Sequence, residues 1–251
     1  MILYNVVCMD IVYKNRGFSL AEVIICLLVV GIIAAITIPT LVFDVYEQLT
    51  VTQVKKVYST LSNAYRYVRI VNGSPEDWPE FINQNFDHSL FAEKFRPFMH
   101  IMHDCKKDGN NSLCILNNQY HKFNGDSELY LNSRYDVVLA DGTSVIFNTR
   151  RDSVDERYDR WGVIYVDLNG TKGPNRWGYD LFEFSIQKDN IVPTGANKGS
   201  TDRTILSNCL STGYHCTAWV LRKENILYRR CPQDLQILLK QDKNNVPTGC
   251  F

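Results

Sequence analysis

The side chain best placed to do chemistry in this sequence is Glu22, the one charged residue among the 26 from position 18 to 43. A carboxylate at the centre of a membrane helix costs about 2.5–3.5 kcal/mol on insertion scales, so it calls for a partner. Either a positive group meets it, or it lies near the interface and reaches water along its own stem. Just upstream, Gly17-Phe18 follows Lys14 and Arg16. Glycine offers an unhindered backbone to a protease, and a basic leader stays on the cytoplasmic side of a membrane.

Six cysteines follow the apolar run, Cys105, Cys114, Cys209, Cys216, Cys231 and Cys250, while Cys8 and Cys26 lie before or within it. An even set in an exported segment reads as disulfides. Nearest-neighbour pairing would join Cys105 to Cys114, Cys209 to Cys216 and Cys231 to Cys250, although six cysteines allow fifteen connectivities. His100, His103, Cys105 and Cys114 could be read as zinc ligands, but there is no paired Cys-x-x-Cys and disulfides explain the cysteines better.

Asp167, Asn169, Asn175 and Asp180 sit in a loop with Gly170, Gly173 and Gly178. Their oxygens could hold calcium, a hard cation; the same residues also make a turn that hydrogen-bonds its own backbone, and the self-bonded turn is favoured. The acidic spacing is not that of an EF-hand. The chain lacks Gly-x-Ser-x-Gly, His-Glu-x-x-His and a phosphate-binding glycine loop, so an enzyme is not expected.

These residues need elements to position them. Residues 18–43 as a helix would be about 39 Å long, enough to cross a hydrocarbon core of about 30 Å. A secretory signal peptide is shorter and ends at a small-residue cleavage site, which is missing before Pro39. Lys14 and Arg16 precede the run and Asp44 and Glu47 follow it, which places the N-terminus in the cytoplasm and exports the rest. With 27 basic and 27 acidic residues, the charge balance requires no nucleic-acid partner.

Beyond the membrane run, Val42, Val45, Tyr46, Leu49, Val54, Val57, Tyr58, Leu61, Ala64, Tyr65 and Val68 recur at helical spacing and predict an amphipathic continuation. It stops at Asn72-Gly73-Ser74-Pro75. A second, less regular helical region is expected over 86–104, around Pro97. Residues 135–140 and 143–147 flank Asp141-Gly142 as a hairpin, and 161–167 and 181–186 read as further strands. Residues 217–221, Thr-Ala-Trp-Val-Leu, read as strand-like. The fold class is α+β, with a long N-terminal helix packed on an antiparallel sheet and disulfide-stapled loops. The organisation is 1–17 leader, 18–43 transmembrane half-helix and 44–251 exported head, with helix to about 71, sheet over about 134–186 and a variable region over 190–251.

The stretch Lys14-Asn15-Arg16-Gly17-Phe18-Ser19-Leu20-Ala21-Glu22 resembles the processing site of type IV pilins and type II secretion pseudopilins. The loop from Asp167 to Asp180 resembles the D-x-N-G-x-x-G-P-N-x-x-G-x-D loop in the heads of many such proteins. The resemblance implies that a prepilin peptidase cuts between Gly17 and Phe18 and methylates the new N-terminus. It implies that Glu22 meets the charged N-terminus, at Phe18, of a neighbouring subunit, and that Pro39 kinks or locally unwinds the helix. It also implies an assembly ATPase and a membrane platform as partners, and a route from a bacterial inner membrane to a periplasmic or extracellular filament. Residues 1–8 are more apolar than such leaders usually are, and Met9 is the alternative start. Any adhesive or cargo contact is expected within residues 190–251, because surface loops carry recognition.

Overall fold

The structure is a computed structural model of the chain; it describes residues 19–82, 87–106, 114, 119–125, 128–130, 135–149 and 161–241. The chain divides into two compact units, Met1–Tyr46 and Glu47–Phe251, and helix α1 (Leu20–Asn72) contributes to both.

In the first unit Leu20, Ile25, Leu27, Ile33, Ile36 and Leu41 are all exposed. No part of the most apolar stretch is buried inside the protein. A helix that is apolar on every side, with no protein around it, is suited to lipid. It runs through Pro39 without a break, so the local unwinding expected there is not seen. Proline removes one N–H from the ladder, and the bonds of the flanking turns persist.

In the second unit, α1 buries Thr50, Val51, Val54, Val57, Leu61, Ala64, Tyr65 and Val68. Val42, Val45, Tyr46 and Leu49, expected in the same stripe, are exposed; they extend the bare apolar surface of the helix instead. The helix ends where expected. Gly73 takes a φ of 75° and donates its N–H to the Arg69 carbonyl at 2.9 Å, and Pro75 opens a 3-10 turn, Pro75–Asp77.

Two short helices follow, α2 (Pro79–Ile82) and α3 (His88–Phe95). Asp87 caps α3 by accepting the Ser89 and Leu90 N–H groups. The helical region expected over 86–104 stops at a 3-10 turn, Arg96–Phe98, because Ile101–Asp104 forms strand β1 on the edge of the sheet.

The remaining strands are β2 (Gln119–His121), β3 (Glu128–Tyr130), β4 (Tyr135–Leu139), β5 (Ser144–Asn148), β6 (Gly162–Asp167), β7 (Leu181–Ile186) and β8 (Ile191–Pro193). The main sheet has the order β1-β4-β5-β6-β7-β8 with every pair antiparallel, and β2-β3 is a separate ribbon. The β4–β5 hairpin turns at Asp141-Gly142 as expected. Gly142 has a φ of 84°, and the Asp141 side chain accepts the Thr143 N–H at 3.1 Å.

Every residue of β4 to β7 is buried, so both faces of the sheet are covered. On one face Phe91 and Phe95 of α3 meet Phe147, with ring centroids 5.4 and 5.3 Å apart, and Tyr58 of α1 stacks on Phe184 at 5.8 Å. The Tyr65 hydroxyl donates to the Gln187 carbonyl at 2.6 Å. On the other face Ile146, Val163, Tyr165 and Leu181 gather with Tyr120 and Trp177.

Four helices accompany that second face: α4 (Asp202–Thr212), α5 (Cys216–Lys223), α6 (Leu227–Arg230) and α7 (Pro232–Gln241). The strand expected over Thr217–Leu221 is therefore helix. A five-residue apolar run carries no decisive period, and its tertiary setting chooses. Gly213, at a φ of 90°, turns the chain out of α4 so close to Trp177 that a Cβ there would lie 2.4 Å from the Trp177 Cβ. The Cys209–Cys216 disulfide then binds the end of α4 to the start of α5.

Candidate functional site

The helix start is the first candidate. Ser19 and Glu22 form a reciprocal cap. The Ser19 N–H and hydroxyl donate to Glu22 Oε2 at 2.8 and 2.9 Å, and the Glu22 N–H donates to Ser19 Oγ at 3.3 Å. The first-turn N–H groups of a helix have no partners in the ladder and carry partial positive charge, which suits an acid there. Glu22 is exposed, so its carboxylate is satisfied by its own chain yet open to a competitor. Ser19 was missed as a partner in the sequence, although Ser-x-x-Glu ahead of an apolar run is the signal for this cap. Gly17 and Phe18, the expected processing residues, lie outside the described residues.

The second candidate is the loop joining β6 to β7. Asp167, at the end of β6, is fully buried. Its Oδ1 accepts the Asn169 N–H at 3.0 Å, and its Oδ2 accepts the hydroxyl of Tyr120 on β2 at 2.8 Å. Burial, and then the nearby Asp180 charge, push the Asp167 carboxyl up to about 8. Burial also raises the Asp180 carboxyl and holds the Tyr120 hydroxyl well above its ordinary range.

Asp180 closes the loop. Its two oxygens accept the Asn175 N–H at 2.7 Å and the Arg176 N–H at 2.6 Å. The Asn169 amide donates to the Gly173 carbonyl at 3.1 Å. All four carboxylate oxygens thus already hold donors from the protein, the pattern of the self-bonded turn. The carbonyl oxygens of the Asn169 and Asn175 side chains are buried and accept no hydrogen bond, which is the feature of this loop that suits a cation.

The loop also seats the C-terminal helices. Trp177 stands edge-on to Tyr165 and to Tyr214, at 5.4 and 4.8 Å between centroids. A Cβ at Gly178 would lie 2.6 Å from Cys216 Sγ. The Gly178 carbonyl accepts the Tyr228 hydroxyl at 2.7 Å and Arg229 Nε at 2.8 Å. Trp177 and Gly178 therefore act as the socket for α5 and α6, a role that loop composition did not reveal.

The cysteines pair Cys105 with Cys114 and Cys209 with Cys216, as nearest-neighbour pairing predicts. Cys231 is also disulfide-bonded; Cys250, its expected partner, lies outside the described residues. The zinc reading fails at Cys105 and Cys114, because their disulfide leaves no thiolate to bind a metal. Cys26, in the apolar half of α1, is free and exposed.

A family model for the prokaryotic N-terminal methylation motif matches residues 13–38. No curated protein and no solved structure matches the chain. The motif is the signature of type IV pilin and pseudopilin precursors, which are structural subunits rather than enzymes. It implies processing by a prepilin peptidase and assembly with other pilins, and with the apolar helix it fits membrane anchoring.

Proposed function

We propose that this chain is a prepilin-like structural subunit of a type IV pilus or type II secretion pseudopilus, cut after Gly17, N-methylated at Phe18 and assembled through its N-terminal helix. The carrying observation is the methylation motif over residues 13–38 on an exposed apolar stretch of helix α1, up to residue 43, whose only charge is Glu22. Before assembly Ser19 satisfies the Glu22 carboxylate. On assembly the charged N-terminus at Phe18 of a neighbouring subunit displaces those hydrogen bonds, since an opposite charge in a low dielectric outcompetes a neutral hydroxyl and amide.

The precursor then sits in a bacterial inner membrane as a single pass with a cytoplasmic N-terminus and an exported head. An assembly ATPase and membrane platform move it into a periplasmic or extracellular filament of pilin or pseudopilin subunits. The size of the helical cover over residues 202–241 favours one second reading, a minor or tip subunit whose head binds a surface, DNA or secreted cargo. Low copy number beside an abundant smaller subunit distinguishes it.

The test is mass spectrometry of the N-terminal peptide of the protein isolated from membranes of cells that contain a prepilin peptidase. The expected peptide begins at N-methylated Phe18. A chain still beginning at Met1 or Met9 makes this a simple anchored protein, and a cut beyond Pro39 makes it a secreted one.

A further inference from the structure

A groove of about 550 Å³ opens between α4 and α7 in the second unit. Helical spacing decides which side chains reach it. Positions 203, 207, 210 and 211 share one face of α4, and positions 236, 239 and 240 share one face of α7, because residues three and four apart stand one above the other. Leu210 and Leu239 are buried and form the floor, while Ser207, Ser211 and Lys240 are exposed along the rim. Arg203 donates to the Leu239 carbonyl and Gln236 donates to the Leu210 carbonyl at 3.4 Å. The two walls are therefore tied together and the groove is preformed.

We propose that this groove docks a short acidic segment of a partner protein, which sets a leucine-sized side chain on the floor and an adjacent Asp or Glu against Lys240 and Arg203. Charge selects the partner. Among the described residues lining the groove there are two cations and no acid, and a bond to a carbonyl leaves the Arg203 guanidinium its charge. The acids nearest in sequence do not offset these cations. Asp202 is held by Arg222 at 3.0 Å and by Lys223, and Asp234 lies about 200° around α7 from Gln236, on the far side of the helix.

The mixture of surfaces favours a peptide. The hydroxyls of Ser207 and Ser211, one turn apart on α4, can bond the amides of a peptide backbone, whereas an acyl chain would lie against them and satisfy neither. The volume falls within the range of about 300–1,000 Å³ typical of ligand pockets, room for a few residues rather than a domain. Ile237, the neighbour of Gln236, is also exposed and carries the apolar surface past the rim, so a bound segment can continue along α7. A groove between helices with an apolar floor and a charged rim is a recurring way of binding amphipathic peptides. The inference deepens the second reading above, a head that binds cargo, and rests on it to the extent of giving that cargo a site and a chemistry.

The test titrates the full-length protein, solubilised in a neutral detergent, with a dye-labelled peptide of alternating aspartate and leucine that carries a photo-cross-linking group. A second peptide has asparagine in place of every aspartate. The acidic peptide should bind, lose affinity as salt is raised, and cross-link to segments covering 203–211 or 236–240. The asparagine peptide should bind about tenfold more weakly. Lys240→Glu, at an exposed position, should weaken the acidic peptide by about tenfold, since it turns an attraction into a repulsion, and should leave the melting temperature unchanged. Equal binding of the two peptides overturns the proposal. So does an affinity that Lys240→Glu leaves unchanged, cross-linking only outside the two segments, or no binding at all. The cargo-binding reading is judged separately, by copy number beside a smaller subunit, so its failure is distinguishable from failure of the groove.

Discussion

Glu22 and the pair Asp167 and Asp180 are acids in opposite situations. Glu22 is exposed and held only by a residue three positions away in sequence. Asp167 and Asp180 are buried, and their oxygens are taken by backbone N–H groups and the Tyr120 hydroxyl. A carboxylate with one local, solvent-facing partner can exchange that partner at little cost. One built into a closed network cannot, because each donor it abandons is left buried and unpaired. The first therefore suits an intermolecular contact, and the second suits a fixed piece of architecture.

The largest effect expected from breaking this contrast is functional. Glu22→Ala should remove the protein from sheared filaments while leaving cleavage after Gly17 intact, read by immunoblot of the filament fraction and the N-terminal mass. Wild-type incorporation would mean that the carboxylate is only a helix cap. In the second unit, Asp180→Ala strands the partly buried Asn175 and Arg176 N–H groups and should cost about 2 kcal/mol, two donors near the lower end of 1–3 kcal/mol each. Thermal melting of the solubilised protein reads it, and a change under about 0.5 kcal/mol, the range of an ordinary surface substitution, would deny the loop its structural role.

A subtler effect comes from pH. The Asp167 carboxyl lies near 8 in the folded head against 3.8 for the ordinary group, so the native state binds the extra proton between those values. Its contribution to stability is full below about pH 4, declines as pH rises and is lost above about pH 8. Melting temperature measured from pH 5 to 9 should fall with rising pH, and Asp167→Asn should flatten the slope. An equal slope in the variant would place the titration elsewhere. The smallest expected effect is that of calcium. With every carboxylate oxygen already accepting a hydrogen bond, millimolar calcium should leave the melting temperature where EGTA leaves it; a rise of several degrees would reassign Asp167, Asn169, Asn175 and Asp180 to a cation.

What could be read from local sequence is what local physics decides. The apolar run, its single acid, the end of the helix at Gly73 and the hairpin at Asp141-Gly142 each depend on residues within a few positions of one another. Two disulfides followed the same logic, since Cys105–Cys114 and Cys209–Cys216 close short loops. The Ser19–Glu22 cap was equally local and could have been read from its spacing.

Only the tertiary structure decided the rest. Thr217–Leu221 became helix because Gly213 and the Cys209–Cys216 bond deliver it to a face of the sheet whose Trp177 and Gly178 accept a helix. Tyr120 became the partner of Asp167 although they are 47 residues apart, and no periodicity encodes such a pairing. Propensity and pattern act over a few residues, whereas burial depends on which surfaces meet. The apolar stretch of the N-terminal helix was therefore determined by composition alone, and the second cover of the sheet by the closure of the fold around it.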